Sequence, residues 1–268
     1  MGRSHAAGLE RRVGRGMKPF GRARRSPHRK ERERFRRYCS DLPAIVPAPV
    51  FVKVGAHDGV TGDPSAAILL ADPRWKGLLI EPVPHCFDRL RATFGDARRF
   101  ALERVAVGAR AGEATFYYVD PEARARMPDL PFWIDQLGSF DRNHIIKHLD
   151  GVLGPFIVEC TVQVRPLTEL LRKHAVRDVH LLHVDTEGHD LEVLQTLDFA
   201  THAPLAVFVE HKHLPPSRRS RMRRLLRTRG YSVRDCGNDY FALDRKAYRR
   251  LRWRARIGPP ETRSAGGA

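Results

Sequence analysis

Short apolar runs alternate along this chain with stretches whose apolar residues recur every three to four positions. VFVKVG (50–55), KGLLIEP (76–82), FALERVAVG (100–108), EATFYYVD (113–120), HLLHVD (180–185) and LAVFVEH (205–211) read as strands. PSAAILLA (64–71), HCFDRLRATF (85–94), PLTELLRKHAV (166–176), LEVLQTL (191–197) and SRRSRMRRLLRTRG (217–230) read as helices, the last closed by Gly230. YSVRDCG and DYFALDR read as a closing antiparallel pair. Strands alternating with helices imply βαβ crossovers, hence an α/β fold on a mostly parallel sheet. No internal repeat is visible.

Between residues 121 and 160 the alternation lapses into a Pro-interrupted stretch carrying Phe132, Trp133 and Phe140. Those aromatics argue for an ordered insertion, expected to cap the carboxyl edge of the sheet. The domain itself is expected over residues 43–248. Residues 1–42 predict a basic, disordered tail with room for a short helix near its end, and residues 249–268 a basic flexible tail.

Charge sharpens this division. Residues 1–38 hold 14 Lys and Arg against three acidic residues, and residues 218–256 hold 15 against three. The body between them, 39–217, holds 18 against 24, so the net +17 belongs to the flanks. A nucleic-acid role is therefore unfavourable for the body and open for the basic flanks. Cys39, Cys86, Cys160 and Cys236 are far apart with no C-x-x-C pair, which fits neither a zinc module nor a disulfide scaffold. No run reaches the roughly 20 apolar residues of a membrane span, and the basic start lacks the apolar segment of a secretory signal. A soluble, cytoplasmic protein is expected; oligomeric state is not readable.

Ligands of open α/β sheets sit beyond the carboxyl ends of the strands, so the residues after each apolar run carry the chemistry. The first strand ends in Gly55-Ala56-His57-Asp58-Gly59, the next in Glu81, and later ones in Asp185-Thr186-Glu187-Gly188 and Glu210-His211-Lys212-His213. Gly55 and Gly59 permit a tight turn with backbone close to a ligand. Glu81, 22 residues after Gly59, is placed to accept two hydrogen bonds from a ribose diol. A dinucleotide G-x-G-x-x-G beginning at Gly55 fails at His57 and Val60, which disfavours an NAD-linked oxidoreductase. A ribose-bearing cofactor without a diphosphate, such as S-adenosylmethionine, fits better.

VFVKVGAHDG, LLIEPVPHCFDRL, LLHVDTEGHDLEVLQTLDF and LAVFVEHKH together resemble the FkbM family of S-adenosylmethionine-dependent methyltransferases over residues 50–243. The resemblance implies a class I methyltransferase-like (Rossmann-like) seven-stranded, mostly parallel sheet with helices on both faces. It implies O-methylation of a hydroxyl on a small molecule, glycan or lipid. It places Gly55, Ala56, His57 and Gly59 around the cofactor, Glu81 on its ribose, and Asp185 and Glu187 in the family's second signature. Such proteins often carry an acidic residue where Lys53 stands and Asn where His57 stands. The missing carboxylate at 53 predicts weaker hold on the cofactor's ammonium.

Methyl transfer to oxygen benefits from a general base, and His211, His189 and Asp185 are the candidates. Each histidine has an ordinary alternative, a local hydrogen bond. In the cap, Ser139, Asp141, Arg142 and His144 offer polar contacts to an acceptor. Asp185, Glu187, Glu210, His211 and His213 offer metal-type donors but no metal-binding spacing, and pairing with Lys212 or the cap explains them without an ion, so no metal is expected. The competing readings are the oxidoreductase and a noncatalytic basic nucleic-acid-binding protein on the same fold.

Overall fold

The computed structural model describes residues 28–95 and 98–257, with the backbone alone at Arg254 and Ile257. The predicted tail segments 1–27 and 258–268 lie outside the described residues. The chain forms α1 (Arg29–Asp41), β1 (Val50–Val54), α2 (Ala66–Ala71), β2 (Lys76–Ile80), α3 (Pro84–Phe94), β3 (Phe100–Glu103), β4 (Ala106–Val107) and β5 (Gly112–Val119). It continues through α4 (Ala123–Arg126), α5 (Arg142–Ile146), β6 (Ile157–Arg165), α6 (Leu167–Lys173), β7 (Leu181–Val184) and α7 (Asp190–Gln195). It closes with β8 (Ala206–Glu210), α8 (Pro216–Thr228), β9 (Ser232–Asp235), β10 (Asp239–Leu243) and α9 (Arg245–Ile257).

Seven strands make the main sheet in the order β3-β2-β1-β7-β8-β10-β9, parallel except where β10 runs against both β8 and β9. Helices cover both faces, so the central strands are buried on both sides and read as unbroken apolar runs. The pleat sorts their residues: Val52, Val54, Leu182, Val184, Val207 and Val209 join one core, and Phe51, Leu181 and Phe208 the other. Strand order reverses between β1 and β7, which is where ligands bind such sheets.

Three sequence expectations change in detail. FALERVAVG is two strands: β3 stays in the main sheet, while β4 enters a second sheet of order β4-β6-β5. β5 belongs to that second sheet too, paired antiparallel with β6 along its whole length. Residues 157–160 are therefore β6 rather than cap. The rest of the insertion packs on a small core of its own, with Val119, Ile134, Leu137, Ile145 and Leu153 buried.

The third change concerns the basic N-terminal segment. α1 is helical from Arg29 and buries Phe35, Tyr38 and Cys39, a stripe at i, i+3 and i+4, while its arginines face outward. Phe35 stacks on Phe208 with ring centroids 4.0 Å apart and meets Phe241 edge-on at 5.5 Å. Tyr38 donates its hydroxyl proton to the His180 carbonyl at 2.5 Å. α9 likewise extends helix to Ile257, past the expected boundary at 248. Among the described residues no helix is long and apolar enough to cross a membrane.

Because Phe35 is 1% exposed, Phe35→Ala is expected to lower unfolding free energy by about 3–5 kcal/mol in chemical denaturation. An unchanged denaturation midpoint would return α1 to the status of a tail.

Candidate active site

The site begins where β1 leaves the sheet. Gly55 has φ +77°, and a Cβ there would lie 1.7 Å from the Asp185 carbonyl oxygen, so only glycine lets the two strand ends pass. The N–H groups of Gly55 and Ala56 both donate to the Ile80 carbonyl at 3.0 Å, tying the turn to the end of β2. The next residue, Glu81, is buried; its Oε2 accepts from the His57 N–H at 2.8 Å and its Oε1 from the Val83 N–H at 2.9 Å. Burial pushes this carboxyl above its ordinary range against those two donors. Each oxygen retains a lone pair for a further donor.

A pocket of about 840 Å³, counting the solvent at its mouth, opens over this turn. It brings together Gly55, Ala56, His57, Glu81, Asp185, Glu187 and His189, with Gln136, Gly138 and Phe140 of the cap on the far side. Gly59 and His211 are not part of its lining. A Cβ at Gly59 would lie 2.3 Å from the Phe94 ring, so this glycine serves packing beneath the turn. His211 follows the last residue of β8, where the pleat sends it to the opposite side from Glu210. It is buried with its ring centroid 4.0 Å from that of Tyr240. Of the predicted cap contacts, Ser139 accepts from the Asp141 N–H at 3.1 Å, Asp141 caps α5, and His144 reaches Glu187 at 3.2 Å.

The turn after β7 explains its own dense charge. Asp190 is 1% exposed and accepts from the N–H groups of Thr186 at 2.9 Å and Gly188 at 3.1 Å, folding the loop back on itself. Burial and the neighbouring Asp185 push its carboxyl up to about 8 despite those donors. Glu187 sits at φ +52°, a left-handed conformation rare outside glycine, which turns its side chain out of the strand direction. Burial would raise the Glu187 carboxyl, but His144 and His213 bring it down to about 2. Burial pushes Asp185 up to about 6, with Lys53 opposing. His189, packed 4.9 Å from the Phe140 ring, is held below the ordinary imidazole range by burial.

Lys53 answers to a residue the sequence reading passed over. Its Nζ lies 3.0 Å from Asp63 Oδ2, with side chains 5% and 4% exposed, and 3.3 Å from His183 Nδ1. Burial and the ammonium push His183 down to about 3, so it stays neutral beneath the pocket rather than meeting Asp185 in it. Burial alone would raise Asp63, but Lys53, His183 and the Ser65 donors hold it well below the usual carboxylate range. Both Lys53 and Asp63 reach the pocket wall, where the Asp63 carboxylate is already paired with the Lys53 ammonium. Asp135 was also missed: it accepts from Arg89 at 2.8 Å, and Arg89 Nη2 is 3.0 Å from His57 Nε2, which fastens the cap to the turn. Burial would lower His57, and Asp135 and Asp58 raise it instead.

A seven-stranded sheet of this order, with one reversed strand and its pocket at the switch point, is the fold of the class I S-adenosylmethionine-dependent methyltransferases. The methyltransferase FkbM domain matches residues 53–233; the chain belongs to that family, and S-adenosylmethionine is its cofactor. Among solved structures, it is similar to a precorrin-6y C5,15-methyltransferase from Geobacter metallireducens at 11% identity, covering 73% of this chain and 78% of that one, with a TM-score of 0.36. Aeropyrum pernix fibrillarin with natively bound S-adenosyl-L-methionine matches at 13% identity, 78% and 75% coverage and a TM-score of 0.36. The N-terminal domain of human METTL16 matches at 10% identity, 79% and 68% coverage and a TM-score of 0.41. A comparison with curated proteins finds no match.

Lys53→Met is expected to strand the buried Asp63 charge and to cost about 3–5 kcal/mol of stability. Adding Asp63→Asn should recover most of that loss in chemical denaturation. Strictly additive losses would mean that the two charges are not coupled.

Proposed function

We propose that this methyltransferase transfers its methyl group to a hydroxyl oxygen of a small molecule, glycan or lipid. The observation that carries this reading is that Asp185, a half-buried residue whose carboxyl is pushed up to about 6, shares one pocket with Glu81 and the 55–57 turn. S-adenosylmethionine supplies an electrophilic methyl group on a sulfonium.

The donor set fits that cofactor. Glu81 is held by two backbone N–H groups and offers its remaining lone pairs to the ribose hydroxyls. The glycine turn brings backbone at Gly55, Ala56 and His57 against the amino-acid end. Asp185 would take the proton of the acceptor hydroxyl while the hydroxyl oxygen accepts the methyl group that the bound cofactor would supply, the carbon–sulfur bond breaking and S-adenosylhomocysteine leaving. A base whose pKa lies near the working pH combines a populated ionised form with useful basicity. His189, kept neutral by burial, lies on the same wall as a second proton acceptor. The cap residues Gln136, Gly138 and Phe140 narrow the mouth and confine the acceptor to a group able to enter beneath them.

Incubation with S-adenosylmethionine and a panel of hydroxylated glycans, lipids and small molecules, read by mass spectrometry, should yield a methyl ether. The rate should rise with pH through about 6 as Asp185 ionises, then level off. Asp185→Asn should lower the rate by about 10²–10⁴-fold and abolish that acid limb. Methylation of carbon or nitrogen instead would refute the oxygen assignment, and methylation of RNA would refute the acceptor class.

A further inference from the structure

Beside the cofactor pocket, on the far side of Glu187, five donors from separate parts of the fold converge. Glu187 comes from the turn after β7, Glu210 from the end of β8, His213 from three residues beyond it, and His144 and His148 from the cap. His213 Nε2 lies 3.0 Å from Glu187 Oε2 and 3.8 Å from Glu210 Oε2, and His144 Nε2 lies 3.2 Å from Glu187 Oε2. The donor atoms of Glu187, Glu210 and His213 lie within 4.8 Å of one another, as do those of His144, His148 and His213.

Two of these groups are buried without a hydrogen-bond partner. His213, with its side chain 8% exposed, reaches Glu187 at ion-pair distance without the alignment of a hydrogen bond, and its Nε2 remains unsatisfied. Glu210, with its side chain 10% exposed, leaves Oε2 unsatisfied too. Buried polar atoms ordinarily find partners, and both of these point into the same small space. His148 adds a third sign: its Nδ1 lies 2.8 Å from the His144 carbonyl, which fixes Nδ1 as the donor and leaves Nε2 as a bare lone pair. Metal-ligating histidines are commonly oriented by such a bond to a backbone carbonyl. Spacing agrees as well, because ligands about 2.0–2.2 Å from one four- or five-coordinate ion stand about 2.8–3.8 Å apart.

We propose that Glu187, Glu210, His213, His144 and His148 form a divalent transition-metal site that fastens the cap to the sheet beside the cofactor pocket. Imidazole with carboxylate and no thiolate favours Zn²⁺, Fe²⁺ or Mn²⁺ over the all-oxygen preference of Mg²⁺. The set departs from the metal donors weighed in the sequence, because Asp185 and His211 fall outside it and the two cap histidines take their places. The site stands on its own geometry; its bearing on methyl transfer, through the position of Glu187 in the pocket wall, rests on the function proposed above.

The test uses the full chain, stripped with a chelator and titrated calorimetrically with Zn²⁺, Mn²⁺ and Mg²⁺ in the absence of cofactor and acceptor. One Zn²⁺ or Mn²⁺ per chain is expected, bound at least about tenfold more tightly than Mg²⁺. His213→Ala and, at the cap, His148→Ala should each weaken binding by at least about tenfold, with thermal unfolding monitored to show that each variant is folded. His174→Ala, which alters a histidine paired with Glu103 elsewhere, should bind as the wild type does. Hydrogen exchange at residues 142–148 should slow when Zn²⁺ is added to the wild type and not when it is added to His213→Ala. Absence of saturable binding, preference for Mg²⁺, or unchanged affinity in a folded His213→Ala would overturn the site. Binding of Zn²⁺ by a chain that fails to bind S-adenosylhomocysteine would leave the metal site standing and count only against the methyl-transfer reading.

Discussion

Everything at this site depends on how closely two strand ends can pass. At the switch point the backbone of Gly55 runs so near the Asp185 carbonyl that no side chain fits between them. That approach forces β1 to leave the sheet in a left-handed turn, and the same turn delivers the His57 N–H that orients Glu81. One steric constraint therefore sets both the opening of the pocket and the direction of its deepest carboxylate. The glycine's conformational freedom raises the entropy of the unfolded chain, so fixing this turn costs more on folding than it would for another residue.

Around the turn, the domain buries an unusual amount of charge and compensates it locally. Lys53 and Asp63 neutralise each other beneath the pocket, and Asp190 is absorbed by the backbone of its own loop. Asp185 and Glu210 lack such partners while Glu187 has two histidines, and that imbalance gives the site its chemistry. A carboxylate with no hydrogen-bonded partner is raised toward neutrality and can exchange a proton, whereas one pinned by two histidines stays ionised. Neighbouring acidic residues in one short sequence thus acquire different roles from their surroundings alone.

The strands were legible because double burial makes them unbroken apolar runs, and the carboxyl-edge rule then pointed to Gly55, Glu81, Asp185, Glu187 and His189. Gly59 and His211 were drawn in by adjacency along the chain, while a packed phenylalanine and the strand pleat direct them elsewhere. β6 was folded into the insertion because its half-exposed alternation begins directly after a Pro-bearing loop. α1 looked like tail because three buried anchors are diluted by ten outward polar positions, and only tertiary packing on Phe208 makes the stripe meaningful. Asp63 and Asp135 carry no motif at all. Each matters through a partner that the fold brings to it, respectively Lys53 and Arg89.

The central claim is that the turn at Gly55 and the carboxylate of Glu81 form the cofactor site, and calorimetric titration with S-adenosylhomocysteine tests it most directly. The account predicts that the wild type binds one equivalent and that Glu81→Gln, a neutral replacement of the same shape, binds at least about tenfold more weakly. No binding by the folded wild type, or equal affinity in the variant, would contradict it.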